Sequence, residues 1–269
     1  MPRFHFISGL PRAGSTLLSA LLRQNPRFQA GMSSPLAGMF GALLAEMSER
    51  NEFSVFIDDP ARQRVLRGLF DSFYAERPAE VVFDSNRTWC ARMPALRALF
   101  PDSRVIACVR ELPWIIDSIE CLVRRNAFSP SSIFQYAPGG TVYTRANGLA
   151  ASDGMVGYAY DALKEAFYGE DAARLLLVRY ESLSADPERT LAAIYDFLGE
   201  PAYRHDFARV EYDAREFDRR AGTPGLHDVR ARVEPVARAT ILPPDLFARF
   251  EHDAFWNRPE LNRHGVRVV

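Results

Sequence analysis

The chain has 269 residues, 48% of them apolar, with 33 lysines and arginines against 34 aspartates and glutamates, a formal net charge of −1. A composition of this kind describes a globular chain that buries its own core as one domain over 1–269, and it excludes disordered, collagen-like and disulfide-stapled proteins. Balanced charge gives no global attraction to nucleic acid or to an anionic membrane, so any anion has to be bound by a local arrangement of residues.

Residues 4–8 (FHFIS) form a short apolar run rich in β-formers, closed by Gly9 and Pro11 and followed from Ser15 by the helix-like TLLSALLRQ. The chain is thus predicted to open as strand, tight loop and helix. Helices are predicted at 35–48 and 59–75, an insertion longer than a simple crossover needs. Three further strands, at 81–83, 105–109 and 175–178, precede helical stretches at 88–99, 112–126 and 188–198. Near-continuous apolar runs alternating with amphipathic segments are the pattern of parallel strands buried on both faces. The predicted fold class is α/β, three layers with a central, mostly parallel sheet flanked by helices.

Between the third and fourth strands, 127–150 carries Pro130, Pro138 and Gly139-Gly140 among Phe128, Phe134, Tyr136 and Tyr143. It reads as a long loop, which inside a compact domain is usually functional, and it is expected to act as a lid over an acceptor. Beyond 199 the chain mixes charges, aromatics and turn signals, with RRAGTPG at 219–225 reading as a loop, and 204–269 is expected to form a C-terminal cap.

Cys90, Cys108 and Cys121 make no CxxC pair and read as free thiols of a reducing cytosol. The five histidines leave a gap between residues 5 and 205 and never join cysteine at ligand spacing, so no metal is expected. Met1-Pro2-Arg3 leads straight into a strand pattern, and no apolar run approaches the ~20 residues of a membrane span. A cytoplasmic location is therefore expected, as monomer or homodimer.

The most informative segment is Gly9-Leu10-Pro11-Arg12-Ala13-Gly14-Ser15-Thr16. Its glycines are spaced as in a P-loop, but Ser15 stands where the signature lysine belongs. A glycine loop that leaves a buried strand and opens a helix presents backbone N–H groups at the positive end of a dipole, which suits an anion. Lys164 is the single lysine and lies far away in the sequence, which disfavours ordinary triphosphate chemistry. Arg12 adds a cation inside the loop, and Ser15 and Thr16 add hydroxyl donors.

Pro11-Arg12-Ala13-Gly14-Ser15-Thr16 resembles the 5′-phosphosulfate loop of sulfotransferases that use 3′-phosphoadenosine 5′-phosphosulfate (PAPS). So does the later pairing of Arg110, closing the strand VIACV, with Ser118 eight residues on. The resemblance implies a P-loop-like fold and a PAPS-dependent sulfotransferase of the soluble bacterial type, releasing adenosine 3′,5′-bisphosphate. It implies that the loop holds the 5′-phosphosulfate, that Arg12 stabilises the leaving charge, and that Arg110 and Ser118 grip the 3′-phosphate. The segment LLVRYESL with Asp186-Pro187 and Phe197-Leu198-Gly199 resembles a family strand-YE-helix-FLG segment, making Tyr180 a candidate contact for the base. Arg219-Arg220-Ala221-Gly222 resembles a degenerate form of the family's RKG loop over the 3′-phosphate.

Neither base of the family is present: there is no histidine after the second predicted strand, and Ala30-Gly31-Met32-Ser33-Ser34-Pro35 lacks the glutamate. Asp84, in Phe83-Asp84-Ser85-Asn86-Arg87, is the first candidate base, with Arg87 in place of a family lysine. The same residues would equally pair with each other or cap the helix near 88. His227 in the late loop is the second candidate. The acceptor is expected to be a small molecule, lipid precursor or glycan. A P-loop-type nucleotide or small-molecule kinase, and a nucleotide-binding module without turnover, remain as alternatives.

Overall fold

A computed structural model of the chain describes residues 2–48, 51–76, 79–128 and 140–269. Among these residues, six parallel strands form one sheet in the order β2-β3-β1-β4-β5-β6. They are β1 (Arg3–Gly9), β2 (Phe28–Ala30), β3 (Val81–Ser85), β4 (Val105–Val109), β5 (Leu175–Arg179) and β6 (Arg267–Val268). The helices are α1 (Ser15–Leu22), α2 (Leu36–Glu46), α3 (Asp59–Phe73), α4 (Met93–Leu99), α5 (Leu112–Arg125), α6 (Val142–Ala150), α7 (Met155–Tyr168), α8 (Tyr180–Ala185), α9 (Pro187–Leu198), α10 (Arg215–Arg220) and α11 (Pro244–Arg249).

The α/β class and the parallel sheet predicted from the apolar runs are those observed. β3 and β4 are buried at every position and β1 at all but Arg3, because helices cover both faces and leave no room for alternation. On one face Phe70 of α3 packs edge-on against Phe4 and Phe6 of β1, with centroids 5.7 and 5.9 Å away, and lies 5.8 Å from Trp89. Each such side chain removed from water contributes about 1.5–3 kcal/mol, so this cluster clamps the corner that follows β3.

Three features depart from the sequence expectations. β2 and β6 are three and two residues long, too short for any periodicity to announce them. The helix expected at 88–99 is a 3₁₀ turn over Arg87–Arg92 followed by α4; Pro94 sits in the first turn of α4, where a missing N–H is tolerated. Part of the expected loop at 127–150 is helical: Thr141 caps α6 by accepting from the Thr144 amide. Residues 129–139 of the expected lid, with Pro130, Phe134, Tyr136, Pro138 and Gly139, lie outside the described residues.

In the parallel register Ile7 stands beside Ser85 on one side and Ile106 on the other. The loops after β1, β3, β4 and β5 therefore leave from one edge of the sheet, the edge where open α/β sheets place their ligands. No helix among the described residues is long and apolar enough to cross a membrane.

Candidate active site

A cleft of about 720 Å³ runs along that edge. Its floor is the loop after β1. Gly9 holds φ +96°, and a Cβ there would strike the Cys108 carbonyl oxygen of β4, while the Leu10 amide donates to that same oxygen at 2.8 Å. Arg12 adopts φ +58°, a left-handed conformation that costs a non-glycine residue about 1–2 kcal/mol. Gly14, at φ +92°, precedes α1, whose first-turn amides have no intrahelical acceptors. Pro11, Arg12, Gly14, Ser15 and Thr16 line the cleft, and Ala13 is buried beneath it.

Arg110 follows β4 directly. Its guanidinium lies over the Tyr180 ring, 4.3 Å from the centroid, and its buried Nε has no hydrogen-bond partner among the described residues. Glu181 Oε1 is 3.9 Å from that Nε, a charge contact too long for a hydrogen bond. Burial pushes the Arg110 pKa below the ordinary arginine value. Ser118, two turns into α5, accepts a hydrogen bond from Arg12 Nε at 3.1 Å. Arg12 Nη1 donates to the Leu226 carbonyl. Burial, with Arg110 adding its charge, pushes Arg12 down to about 10. Two guanidinium groups held together under desolvation, one with an orphaned donor, make a pocket whose electrostatics are relieved by an anion. Arg12 thus stands on the Ser118 side of the cleft, between the two expected phosphate-binding elements.

Asp84 does not reach the cleft. It is fully buried, paired in register with Phe6 on the face of the aromatic cluster, and accepts from Tyr74 Oη and Trp89 Nε1, both at 2.7 Å. Burial raises its pKa. Asp84 therefore does not line the cleft: its carboxylate meets Tyr74 at the end of α3, Trp89 and the Ser34 side chain. Nor does it pair with Arg87 or cap the following turn, a part taken by Asn86, which accepts from the Thr88 amide at 3.1 Å. Arg87 itself lines the cleft. It is half-buried with no ion-pair partner among the described residues, its pKa lowered by burial, and Ser8 Oγ holds its carbonyl at 3.1 Å.

Arg219 and Arg220 do not line the cleft either. They form the last turn of α10 and not a loop, both are exposed, and both pair with Glu216 at 2.8 Å. The i,i+3 and i,i+4 spacing on a helix draws them to that carboxylate, away from the cleft. Arg230 and Arg238 enter the cleft instead. Arg238 forms an ion pair with Asp117, the residue before Ser118. Asp117 is fully buried on α5 and also accepts from Thr240 Oγ1 at 2.8 Å and the Ile241 amide at 2.7 Å. An acid inside the apolar run WIIDSI was the available signal, since a buried carboxylate demands donors. His227 lines the cleft beside Arg12, with its Nδ1 2.6 Å from Asp218 Oδ1. Among the described residues, no three His, Cys, Asp or Glu side chains gather to hold a metal ion.

A family model described as the sulfotransferase family matches residues 5–205. The chain is 24% identical over 201 residues to protein-tyrosine sulfotransferase 2 of Gallus gallus, covering 72% of this chain and 50% of that protein. It thus spans about half the length of the curated relative it matches. Among solved structures, the sulfotransferase domain from the curacin biosynthetic pathway superposes with a TM-score of 0.51 at 18% identity, over 94% of this chain and 91% of that one. That likeness shows a shared fold. The family match extends from β1 through α9 and takes in the glycine loop, Arg110, Ser118 and Tyr180, so the chain belongs to the sulfotransferase family.

Proposed function

We propose that this protein moves a sulfuryl group from PAPS to a hydroxyl or amine acceptor by in-line displacement, releasing adenosine 3′,5′-bisphosphate. The observation that carries the reading is the buried Nε of Arg110, without a hydrogen-bond partner among the described residues, in a cleft where Arg12 of the glycine loop donates to Ser118. Two anion-receptive places in one cleft suit a donor with two phosphate positions. On this reading the amides and hydroxyls at Gly14, Ser15 and Thr16 hold the 5′-phosphosulfate, Arg110 and Ser118 hold the 3′-phosphate, and Tyr180 meets the adenine. Arg12 and Arg87 supply positive charge as it is needed on the leaving phosphate and the transferred group, the preorganised electrostatics on which such transfers depend. Arg238, held by Asp117, is a further cation for the 3′-phosphate.

The whole of 1–269 reads as one sulfotransferase domain with 204–269 as its cap, acting in a bacterial-type cytoplasm on a small molecule, lipid precursor or glycan. A kinase reading is weakened because Lys164 lies on α7 with its ammonium over the Tyr160 ring, 4.5 Å from the centroid, and does not line the cleft. The test is a magnesium-free thermal-shift titration comparing adenosine 3′,5′-bisphosphate with ADP and ATP, since a ligand of the native state raises apparent stability by mass action. A shift with the 3′,5′-bisphosphate alone is expected. A magnesium-dependent shift with ATP, and none with the bisphosphate, would overturn the donor assignment.

A further inference from the structure

Asp218 is the one buried residue of α10, 1% exposed in a helix whose other charges face solvent. A carboxylate out of water needs donors, and Asp218 finds two on one residue. The His227 amide donates to Oδ2 at 2.9 Å, and His227 Nδ1 lies 2.6 Å from Oδ1. A carboxylate accepts, so the shared proton belongs on Nδ1, and the neutral ring then presents Nε2 as a bare acceptor. Nε2 has no partner among the described residues, and the ring, 14% exposed, forms part of the cleft wall.

The imidazole is held from two sides and the backbone before it from a third. Asp218 grips Nδ1, the Phe217 ring meets it edge-on at 5.4 Å, and the carbonyl of Leu226, the preceding residue, receives Arg12 of the glycine loop. Arg12 thereby ties the backbone that carries His227 to the anion loop. The charged groups around this site are Asp218, Arg12, Asp228, and Arg125 of α5, which approaches Gly225 together with Asp228, with Arg230 further along the same loop.

Resting on the sulfotransferase reading, we infer that His227 is the general base for the acceptor and that Asp218 is its positioning residue. Nε2 takes the acceptor's O–H proton as the acceptor oxygen forms its bond to sulfur. The bond from sulfur to the bridging oxygen breaks, and its electron pair leaves with the 5′-phosphate of adenosine 3′,5′-bisphosphate. Asp218 stays ionised, holds the tautomer and balances the imidazolium that results.

The test joins a spectrum to a kinetic series on the full chain. Histidine ring ¹⁵N–¹H correlations at pH 9, with His227→Gln assigning the signal, are expected to show His227 protonated on Nδ1. A ring protonated on Nε2 would overturn the inference without any acceptor being needed. For kinetics, PAPS is the donor, and the acceptors are p-nitrophenol, largely ionised at pH 8, and p-methoxyphenol, which is not. General-base catalysis contributes about 10²–10⁴-fold, so His227→Gln is expected to lose at least ~10²-fold in kcat toward p-methoxyphenol. Toward p-nitrophenol, which has already given up its proton, the loss should stay under about fivefold on the same principle. Asp218→Asn should lower kcat toward p-methoxyphenol with KM little changed. Both variants should bind adenosine 3′,5′-bisphosphate as the wild type does. Full p-methoxyphenol turnover in His227→Gln would overturn the base assignment alone, whereas a wild type that fails to bind the bisphosphate would overturn the donor reading and the base with it.

Discussion

The guanidinium of Arg110 lies over the ring of Tyr180, 4.3 Å from its centroid, and a Cβ on Gly14 would come within 2.9 Å of the same ring. One aromatic thus joins the end of β4, the start of α8 and the glycine loop. Gly14 provides the space as well as its φ of +92°, so the loop's glycine makes room for the Arg110–Tyr180 stack as well as for the turn into α1.

Arg110→Ala should leave the fold intact, because the side chain stands at the end of a strand and not inside the sheet. A hydrogen bond to a charged group contributes about 1.5–3 kcal/mol, so affinity for adenosine 3′,5′-bisphosphate should fall by roughly 10–100-fold. Affinity for adenosine 5′-phosphate, which lacks the 3′ group, should hardly change. Calorimetric titration with both ligands separates these outcomes, and equal losses for the two would contradict the assignment of Arg110 to the 3′-phosphate.

Asp84→Asn addresses the corner after β3. Asn offers one carbonyl where Asp84 offers two oxygens, so either Tyr74 Oη or Trp89 Nε1 loses its acceptor in a buried place. The expected destabilisation is about 1–3 kcal/mol, read as a lower midpoint of thermal unfolding. Turnover of the folded variant should remain within a factor of about two, since one unpaired buried donor affects the core and not a proton transfer in the cleft. A variant of unaltered stability that had lost turnover would restore Asp84 as a catalytic candidate.

What could be read from the sequence was local, and what could not was joined across long stretches of chain. The four central strands announced themselves because burial on both faces leaves unbroken apolar runs. The loop at Gly9–Thr16 and the spacing of Arg110 and Ser118 are short-range patterns that survive without a fold. Asp84 lies off the cleft because alternation along β3 separates it from Ser85, and a sequence does not say which face holds the cleft. Arg219 and Arg220 were misplaced because the helix of α10, only six residues long, was hidden in a mixture of charges. The pair Asp117–Arg238 depends on how the cap folds back over α5, and Asp218–His227, although close in sequence, on the turns that follow a six-residue helix; no periodicity encodes either.

The arginines of α10 and Arg238 should behave differently. Exposed ion pairs contribute about 0–1 kcal/mol, so replacing both Arg219 and Arg220 with alanine should change neither stability nor bisphosphate affinity measurably. Arg238→Ala removes a cation whose charge is felt at Arg110 and leaves Asp117 buried with one partner fewer. Bisphosphate affinity should fall about tenfold, the size of one charge-assisted contact. If the double variant weakened binding and Arg238→Ala did not, the 3′-phosphate role would return to the α10 arginines.

His5 gives the fold a dependence on pH that is independent of the cleft. It is 3% exposed in β1, and its Nδ1 accepts from the Arg104 amide at 3.0 Å, an acceptor role that protonation of Nδ1 would end. Burial, with Arg3 and Arg104 adding charge, lowers its pKa from 6.5 to about 4. The unfolded chain therefore binds this proton more tightly than the folded one. The stabilisation is fully present above pH 6.5 and is lost as pH falls through the window toward 4. Its full depth is about 3 kcal/mol, of which about 2 kcal/mol is gone by a pH near 5. Urea unfolding at pH 7 and pH 5 should show the wild type losing about 2 kcal/mol more than His5→Gln, which keeps an acceptor but does not titrate. Equal losses in the two proteins would mean that His5 takes up its proton in the folded state as readily as in the unfolded chain.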